Sequence, residues 1–319
     1  MPPRVSRIHW PVFRQTAAGA FACGRETSAT SQSSDRIAAE TPGSSHVRKV
    51  QQIRIQQAEE TVAIARSGEY LTPSGKRVDL KAAIAQAVRG TCAYPPDREP
   101  EQTRWEPVET RFEVVSETTL AAARRLVRLG RSAVLLNFAS AKNVGGGFLN
   151  GAQAQEESIV RSSALYVCLK GQPMYGFHRR LKDFLYTDYA IYSPAVPFFR
   201  DDDGMLLEDP LRAGVITAPA VNAGALDPAR KDEVLPAMAR RIRKVLGIGL
   251  AKGHDTIILG AWGCGVFRND PVQIARLFKQ ALLQEFAGAY AHVTFAVCDS
   301  SPARRHIAPF EAEFGPVSA

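Results

Sequence analysis

A chain of 319 residues has room for one large domain or two modest ones, and an apolar fraction of 45% is that of a folded globular protein with a sizeable core. No window approaches the roughly 18 uninterrupted apolar residues that a membrane-spanning helix needs, so no membrane span is expected. Of the formal charge of +8, more than half sits in residues 1–54, with eight Lys or Arg against three acids; the rest of the chain carries 32 against 29 and offers no basic nucleic-acid-binding face.

Cys23, Cys92, Cys168, Cys264 and Cys298 are scattered without a CxxC or Cys/His ligand spacing. That pattern gives neither a structural zinc site nor a disulfide framework, and it fits a reducing, cytoplasmic setting.

In chain order, residues 1–45 are rich in Ser, Ala, Thr and Arg and are interrupted by "PP", "WP" and "TPGSS". Too little apolar surface is available there to order the chain, and a disordered tail is expected. Residues 47–68, "VRKVQQIRIQQAEETVAIARSG", place Val50, Ile53, Ala58, Val62 and Ile64 near a helical period and close on glycine. "EYLTPSGKRVDL" then sets two short apolar runs about a Pro-Ser-Gly turn, a hairpin signal, and "KAAIAQAVRG" resumes a helix. Residues 46–107 are thus read as an N-terminal helical extension with a hairpin, and residues 108–319 as the core.

After the proline-rich "YPPDREPEQTRWEP" the pattern alternates. Strand "RFEVVS" is followed by helix "TTLAAARRLVRLG", strand "AVLLNFAS", a glycine-rich loop and one helix "QEESIVRSSALYVCL". Strands at "AIYSPAVPFF" and "GVITAPA" come next, then helix "EVLPAMARRIRKVLGIGLAKG", strand "DTIILGA", helix "PVQIARLFKQALLQEFAG", strand "HVTFAVCD" and a closing helix "ARRHIAPFEAEF". Strands alternating with helices predict an α/β fold with a largely parallel sheet covered on both faces. The acidic stretch "PFFRDDDGMLLEDPLR" reads as a hairpin tip or flap.

In such sheets ligands bind beyond the carboxyl ends of the strands. Three loops should gather there: "NFASAKNVGGG", "TAPAVNAG" and "GAWGCGVF". The glycines in the first and third suit an anion cradle, in which backbone N–H groups close on a phosphate. Neither is a GxGxxG dinucleotide fingerprint or a GxxxxGK[ST] phosphate loop, and the chain has no GxSxG elbow or HExxH helix. Glu156 and Glu157 open a helix; taken alone they read equally well as a helix cap with an ion pair from Glu157 to Arg161. Adjacent helical residues diverge by about 100°, so the two carboxylates are not expected to serve one point equally.

The run "NFASAKNVGGGFLNGAQAQEESIVRSSALY" resembles the microbial-type poly(ADP-ribose) glycohydrolases, whose hallmark is GGG, six to eight residues, then QEE. Here seven residues separate Gly145, Gly146 and Gly147 from Gln155, Glu156 and Glu157. The likeness extends from the upstream helix through "TAPAVN" and "GAWGCGVF", over roughly residues 47–315. It implies a macrodomain-like three-layer α/β/α sandwich, with a mixed, largely parallel central sheet and the N-terminal helical extension. The implied activity is glycohydrolase release of ADP-ribose from poly(ADP-ribose), a place in the DNA damage response, and a monomer that acts on the polymer and on ADP-ribosylated proteins with no cofactor or metal.

By the same resemblance Glu157 is the general acid/base and Glu156 bonds the substrate ribose, with Gln155 helping to position it. Asn137 and Asn143 would lie near the distal ribose. Gly145, Gly146 and Gly147 would let backbone approach the diphosphate, Gly263, Cys264, Gly265 and Val266 would clasp it, and Phe267 would pack on the ribose. Acid catalysis needs a carboxyl that holds its proton, so a raised pKa is expected at Glu157. Alternatives are an ADP-ribose reader without catalysis, a hydrolase of mono-ADP-ribosylated protein or of a smaller ADP-ribosyl compound, and a nucleic-acid-binding role resting on the basic tail.

Overall fold

The computed structural model describes residues 42–315. The expected disordered tail lies outside the described residues up to residue 41, and helix α1 (Pro42–Ser67) begins there. The face it buries differs from the expected stripe: Ala58, Thr61, Ile64 and Ala65 are buried at helical spacing, while Ile53 is exposed. Thr61 is a buried hydroxyl, and it is satisfied by donating to the Arg161 carbonyl at 2.5 Å.

Strands β1 (Glu69–Leu71) and β2 (Arg77–Asp79) form the antiparallel hairpin, followed by α2 (Lys81–Gly90). A short strand not expected from the sequence, β3 (Cys92–Tyr94), comes next. The core continues with β4 (Arg111–Val115), α3 (Thr119–Arg128), β5 (Ala133–Phe138), α4 (Gln155–Arg161), α5 (Leu165–Leu169) and α6 (Pro173–Leu181). It closes with β6 (Ala190–Arg200), β7 (Leu206–Ala218), α7 (Val234–Ala251), β8 (Thr256–Leu259), α8 (Pro271–Gln280), β9 (His292–Ala296) and α9 (Ala308–Phe314). Among the described residues no helix is long and apolar enough to cross a membrane.

Seven strands make one sheet in the order β3-β6-β7-β5-β8-β9-β4. The pairings from β7 through β5, β8 and β9 to β4 are parallel, and β6 pairs antiparallel with both β7 and β3. Side chains alternate across it with the two-residue period of a strand. Val134 and Leu136 of β5, with Ile257 and Leu259 of β8, meet α7, α8 and α9 on one face. Ala133, Leu135 and Ile258 meet α3, α4 and α5 on the other. The architecture is α/β/α with a mixed, mostly parallel sheet, as expected.

The single helix expected over residues 155–169 is broken. At residues 162–164 the backbone leaves the helix to join β6: Phe199 N–H donates to the Ser162 carbonyl at 2.9 Å, and Ala164 N–H donates to that of Pro197 at 3.0 Å. Pairing to the sheet edge thus outweighs local helical propensity. The acidic stretch is a hairpin tip at residues 201–205, on strands longer than its sequence announces.

Candidate active site

Because β4, β5, β7, β8 and β9 run parallel, their carboxyl ends share one edge, and a cavity of about 810 Å³ opens there. Its wall includes Phe138 at the end of β5 and Ser140 after it, Ala220 after β7, residues 261–263 and 265–267 after β8, and Ala296 at the end of β9 with residues 297–298 after it. All three expected loops therefore converge on it.

Gln155 fixes the start of α4 against β5. Its Oε1 accepts from Phe138 N–H at 2.9 Å, and its Nε2 donates to the Leu136 carbonyl at 2.7 Å and to Thr119 Oγ1 at 3.1 Å. With that amide spent on protein groups, Gln155 positions the helix that carries the two acids.

Those acids do not cap α4. Glu156 Oε2 accepts from Ser140 N–H at 2.7 Å, and Glu157 Oε1 accepts from Gly147 N–H at 2.9 Å, so both reach across to the glycine loop. Nor does Arg161 pair with Glu157, the alternative open to the segment taken alone; its guanidinium holds the Ala152 carbonyl and Gln153 Oε1. The carboxylates converge on Gly146, where a Cβ would overlap Glu157 Oε1 and stand 3.0 Å from Glu156 Oε2. The backbone there is left-handed, with φ of +61°, which glycine adopts without the cost a side chain imposes. The divergence expected of neighbouring helical residues is overcome because the loop folds over the helix start.

Burial falls on Glu156, which is 4% exposed and lines the cavity. Burial, with the Glu157 charge beside it, pushes its pKa up to about 8 against the opposing hydrogen bonds from Ser140 and Asn137. Behind it, fully buried Asn137 directs Nδ2 at Glu156 Oε1 (3.4 Å) and Thr217 Oγ1 (3.3 Å).

The opposite wall is backbone. Gly263, at φ +75°, is pressed against its surroundings: a Cβ would lie 2.5 Å from Asn269 Nδ2 and 2.6 Å from Ala220. A Cβ on Gly265 would meet nothing within 4 Å. Among the described residues the N–H groups of Gly265, Val266 and Phe267 donate to no protein acceptor. Val266 is 86% exposed beside them, and Phe267 is half-buried, with its ring centroid 6.2 Å from that of Tyr186.

Of the residues singled out in the sequence, Gly146, Gln155, Glu156, Glu157, Gly263, Gly265, Val266 and Phe267 line the cavity. Asn137, Asn143, Gly145, Gly147 and Cys264 stand off it. Asn137 and Cys264 are buried behind the wall, Asn143 is exposed outside it, and Gly145 packs against Phe148 and Val160. Gly147 is half-buried, and a Cβ there would press on Ala152 at 2.9 Å. Missed by the sequence reading were Glu117, Thr118, Thr119 and Leu120, together with Asp202, Cys298 and His306. Only the Thr118 N-cap, whose Oγ1 accepts from Ala121 N–H at 3.0 Å, carries a recognisable local signal. The wall contains no Lys or Arg, and its acids gather around Glu156 and Glu157 at one place and Glu117 and Asp202 at another.

The sequence model of the family described as "Microbial-type PARG, catalytic domain" matches residues 58–201. Among solved structures, the poly(ADP-ribose) glycohydrolase of Thermomonospora curvata is 47% identical at a TM-score of 0.78, covering 82% of this chain and 100% of that one. The same protein bound to the inhibitor ADP-HPD aligns over the same shares at 47% identity and a TM-score of 0.77. The Deinococcus radiodurans poly(ADP-ribose) glycohydrolase in complex with ADP-ribose is 45% identical at 0.68, covering 73% of this chain and 98% of that one. Comparison with curated proteins gives no match. With this identity spanning whole solved relatives, the chain belongs to the microbial-type poly(ADP-ribose) glycohydrolase family.

Proposed function

We propose that this chain hydrolyses the ribose–ribose O-glycosidic bonds of poly(ADP-ribose) and releases ADP-ribose, with Glu157 as general acid and base. The observation that carries this reading is the convergence of Glu156 and Glu157 on the bare backbone of Gly146 at the wall of a ligand-sized cavity. The ADP-ribose and ADP-HPD complexes of the relatives support the ligand class.

With no cation in the wall, the diphosphate is met by the open N–H groups of Gly265, Val266 and Phe267, on the loop that Gly263 and Cys264 seat. Phe267 packs on the distal ribose. Glu156 bonds a ribose hydroxyl, and burial, which lifts its pKa to about 8, keeps its own carboxyl protonated near neutral pH. Glu157 gives a proton to the leaving ribose oxygen as the bond to the anomeric carbon breaks. The oxocarbenium charge is stabilised by the substrate's own diphosphate. Water then attacks the anomeric carbon and returns a proton to Glu157. Asn137 holds Glu156 from behind, and Asn143, Gly145 and Gly147 shape the loop.

The same reading takes protein-linked polymer as substrate and places a monomer in the cytoplasm in response to DNA damage. The free thiols of Cys92, Cys168, Cys264 and Cys298 suit a reducing compartment. The test is chromatography of products from poly(ADP-ribose) and from mono-ADP-ribosylated protein. Free ADP-ribose from the polymer is expected. Release only from the mono-ADP-ribosylated protein supports that hydrolase instead, and binding of ADP-ribose without release from either makes the chain a reader.

A further inference from the structure

Resting on the reading that the cavity holds the terminal unit of a polymer, we propose that the surface beyond Phe267, built from Lys142, Arg179 and Phe184 over the buried Tyr186, binds the ADP-ribose unit on the far side of the scissile bond. This surface is continuous with the site. Ser140, whose N–H holds Glu156, accepts at Oγ from Lys142 N–H at 3.4 Å, and the Tyr186 ring stands against Phe267.

Its chemistry is what the cavity lacks. Lys142 Nζ lies 5.2 Å from the Phe184 ring centroid and 5.9 Å from that of Tyr186. Arg179 donates to the Lys142 carbonyl at 2.6 Å and is otherwise exposed. Neither cation forms an ion pair among the described residues. Phe184 is 40% exposed, with the Lys142 ammonium over its ring and Arg179 bonded to the same lysine's carbonyl. Each polymer unit carries a diphosphate and an adenine, and cations flanking an aromatic ring are the complement of that pair.

The surface is also held in place. Asn222 N–H donates to the Phe184 carbonyl at 2.9 Å, and Asp183 pairs with Arg230 at 3.2 Å. Lys182 and Tyr186, on either side, adopt left-handed backbone with φ of +52° and +55°. Such conformations cost roughly 1–3 kcal/mol each and persist only where the surroundings impose them.

The test uses the full chain carrying Phe184→Ala or Lys142→Gln, with KM for polymer, Kd for free ADP-ribose and the salt dependence of KM. Phe184→Ala is expected to raise KM for polymer about tenfold while Kd for ADP-ribose stays within about twofold, and Phe184→Trp is expected to restore KM. Lys142→Gln is expected to flatten the salt dependence. Unchanged polymer KM in both variants overturns the assignment, as does a parallel loss of ADP-ribose affinity. Weakened single-stranded RNA binding with unchanged polymer KM overturns it in favour of nucleic acid. If the wild type releases no ADP-ribose, the glycohydrolase reading fails separately, and polymer binding against ADP-ribose binding in the two variants still decides the surface.

Discussion

Two glycine loops face each other across the cavity, and they use glycine for opposite purposes. In the loop at residues 145–147 the N–H groups are taken: Gly146 N–H donates to the Asn143 carbonyl and Gly147 N–H to Glu157. What glycine supplies there is the missing Cβ, which lets two carboxylates lie against the main chain. Across the cavity the N–H groups of Gly265, Val266 and Phe267 are open, and what that loop supplies is donors. By sequence alone both suit an anion cradle. Only the second has the open donors of one; the first is a seat for acids. Repeated small residues therefore announce close approach, and the partner that approaches is set by the element packed above the loop.

The largest expected effect breaks the first loop. Gly146→Ala puts a methyl group on Glu157 Oε1 and imposes a side chain at φ +61°. We expect kcat for ADP-ribose release to fall at least about a hundredfold, because a displacement near 1 Å at a reacting group has that effect. Steady-state kinetics together with a thermal melt checks this; a variant as stable and as active as the wild type contradicts it.

The second loop is sharpened by a pair of substitutions. Gly265→Ala, whose methyl points into open space, is expected to leave Tm unchanged and to weaken ADP-ribose binding about tenfold by covering the donors. Gly263→Ala, crowded by Asn269 and Ala220 at positive φ, is expected to lose roughly 1–3 kcal/mol of stability. Calorimetric titration and urea unfolding separate the two; equal effects on both readouts would erase the distinction between them.

A pH dependence follows from Glu156. Its pKa is about 8 when folded, against an ordinary carboxyl value when unfolded, so between those values the native state holds a proton that the unfolded chain has released. Stability contributed by that group is present below about pH 4.5 and is lost as pH rises towards 8, by up to about 1.4 kcal/mol per pH unit. Compared with Glu156→Gln, the wild type should therefore lose urea resistance between pH 5 and 8. Parallel curves for the two proteins would place the burial cost elsewhere.

Much of the fold was legible because strands buried on both faces, such as "AVLLNF" and "TIIL", are nearly continuous apolar runs of the kind a covered parallel sheet accommodates. The break at residues 162–164 was not, since it is made by pairing with β6 some 35 residues onward, and β3, three residues long, exists only through β6. The acids and both glycine loops could be found by spacing. Their division of labour could not: burial of Glu156 depends on Asn137 and Ser140 below it, and Gln155, at the cavity wall, spends its amide on the end of β5 and on Thr119. The wall formed by residues 117–120, Asp202, Cys298 and His306 comes from separate elements and carries no shared motif.

The most direct test of the account is release of ADP-ribose from poly(ADP-ribose) by the wild type and by Glu157→Gln, with ADP-ribose affinity measured on both. Cleavage by the wild type is expected and, in the variant, unimpaired binding with turnover lowered by several orders of magnitude. A variant that cleaves at the wild-type rate would contradict the role of Glu157 and return the paired carboxylates to a purely structural place beneath the glycine loop.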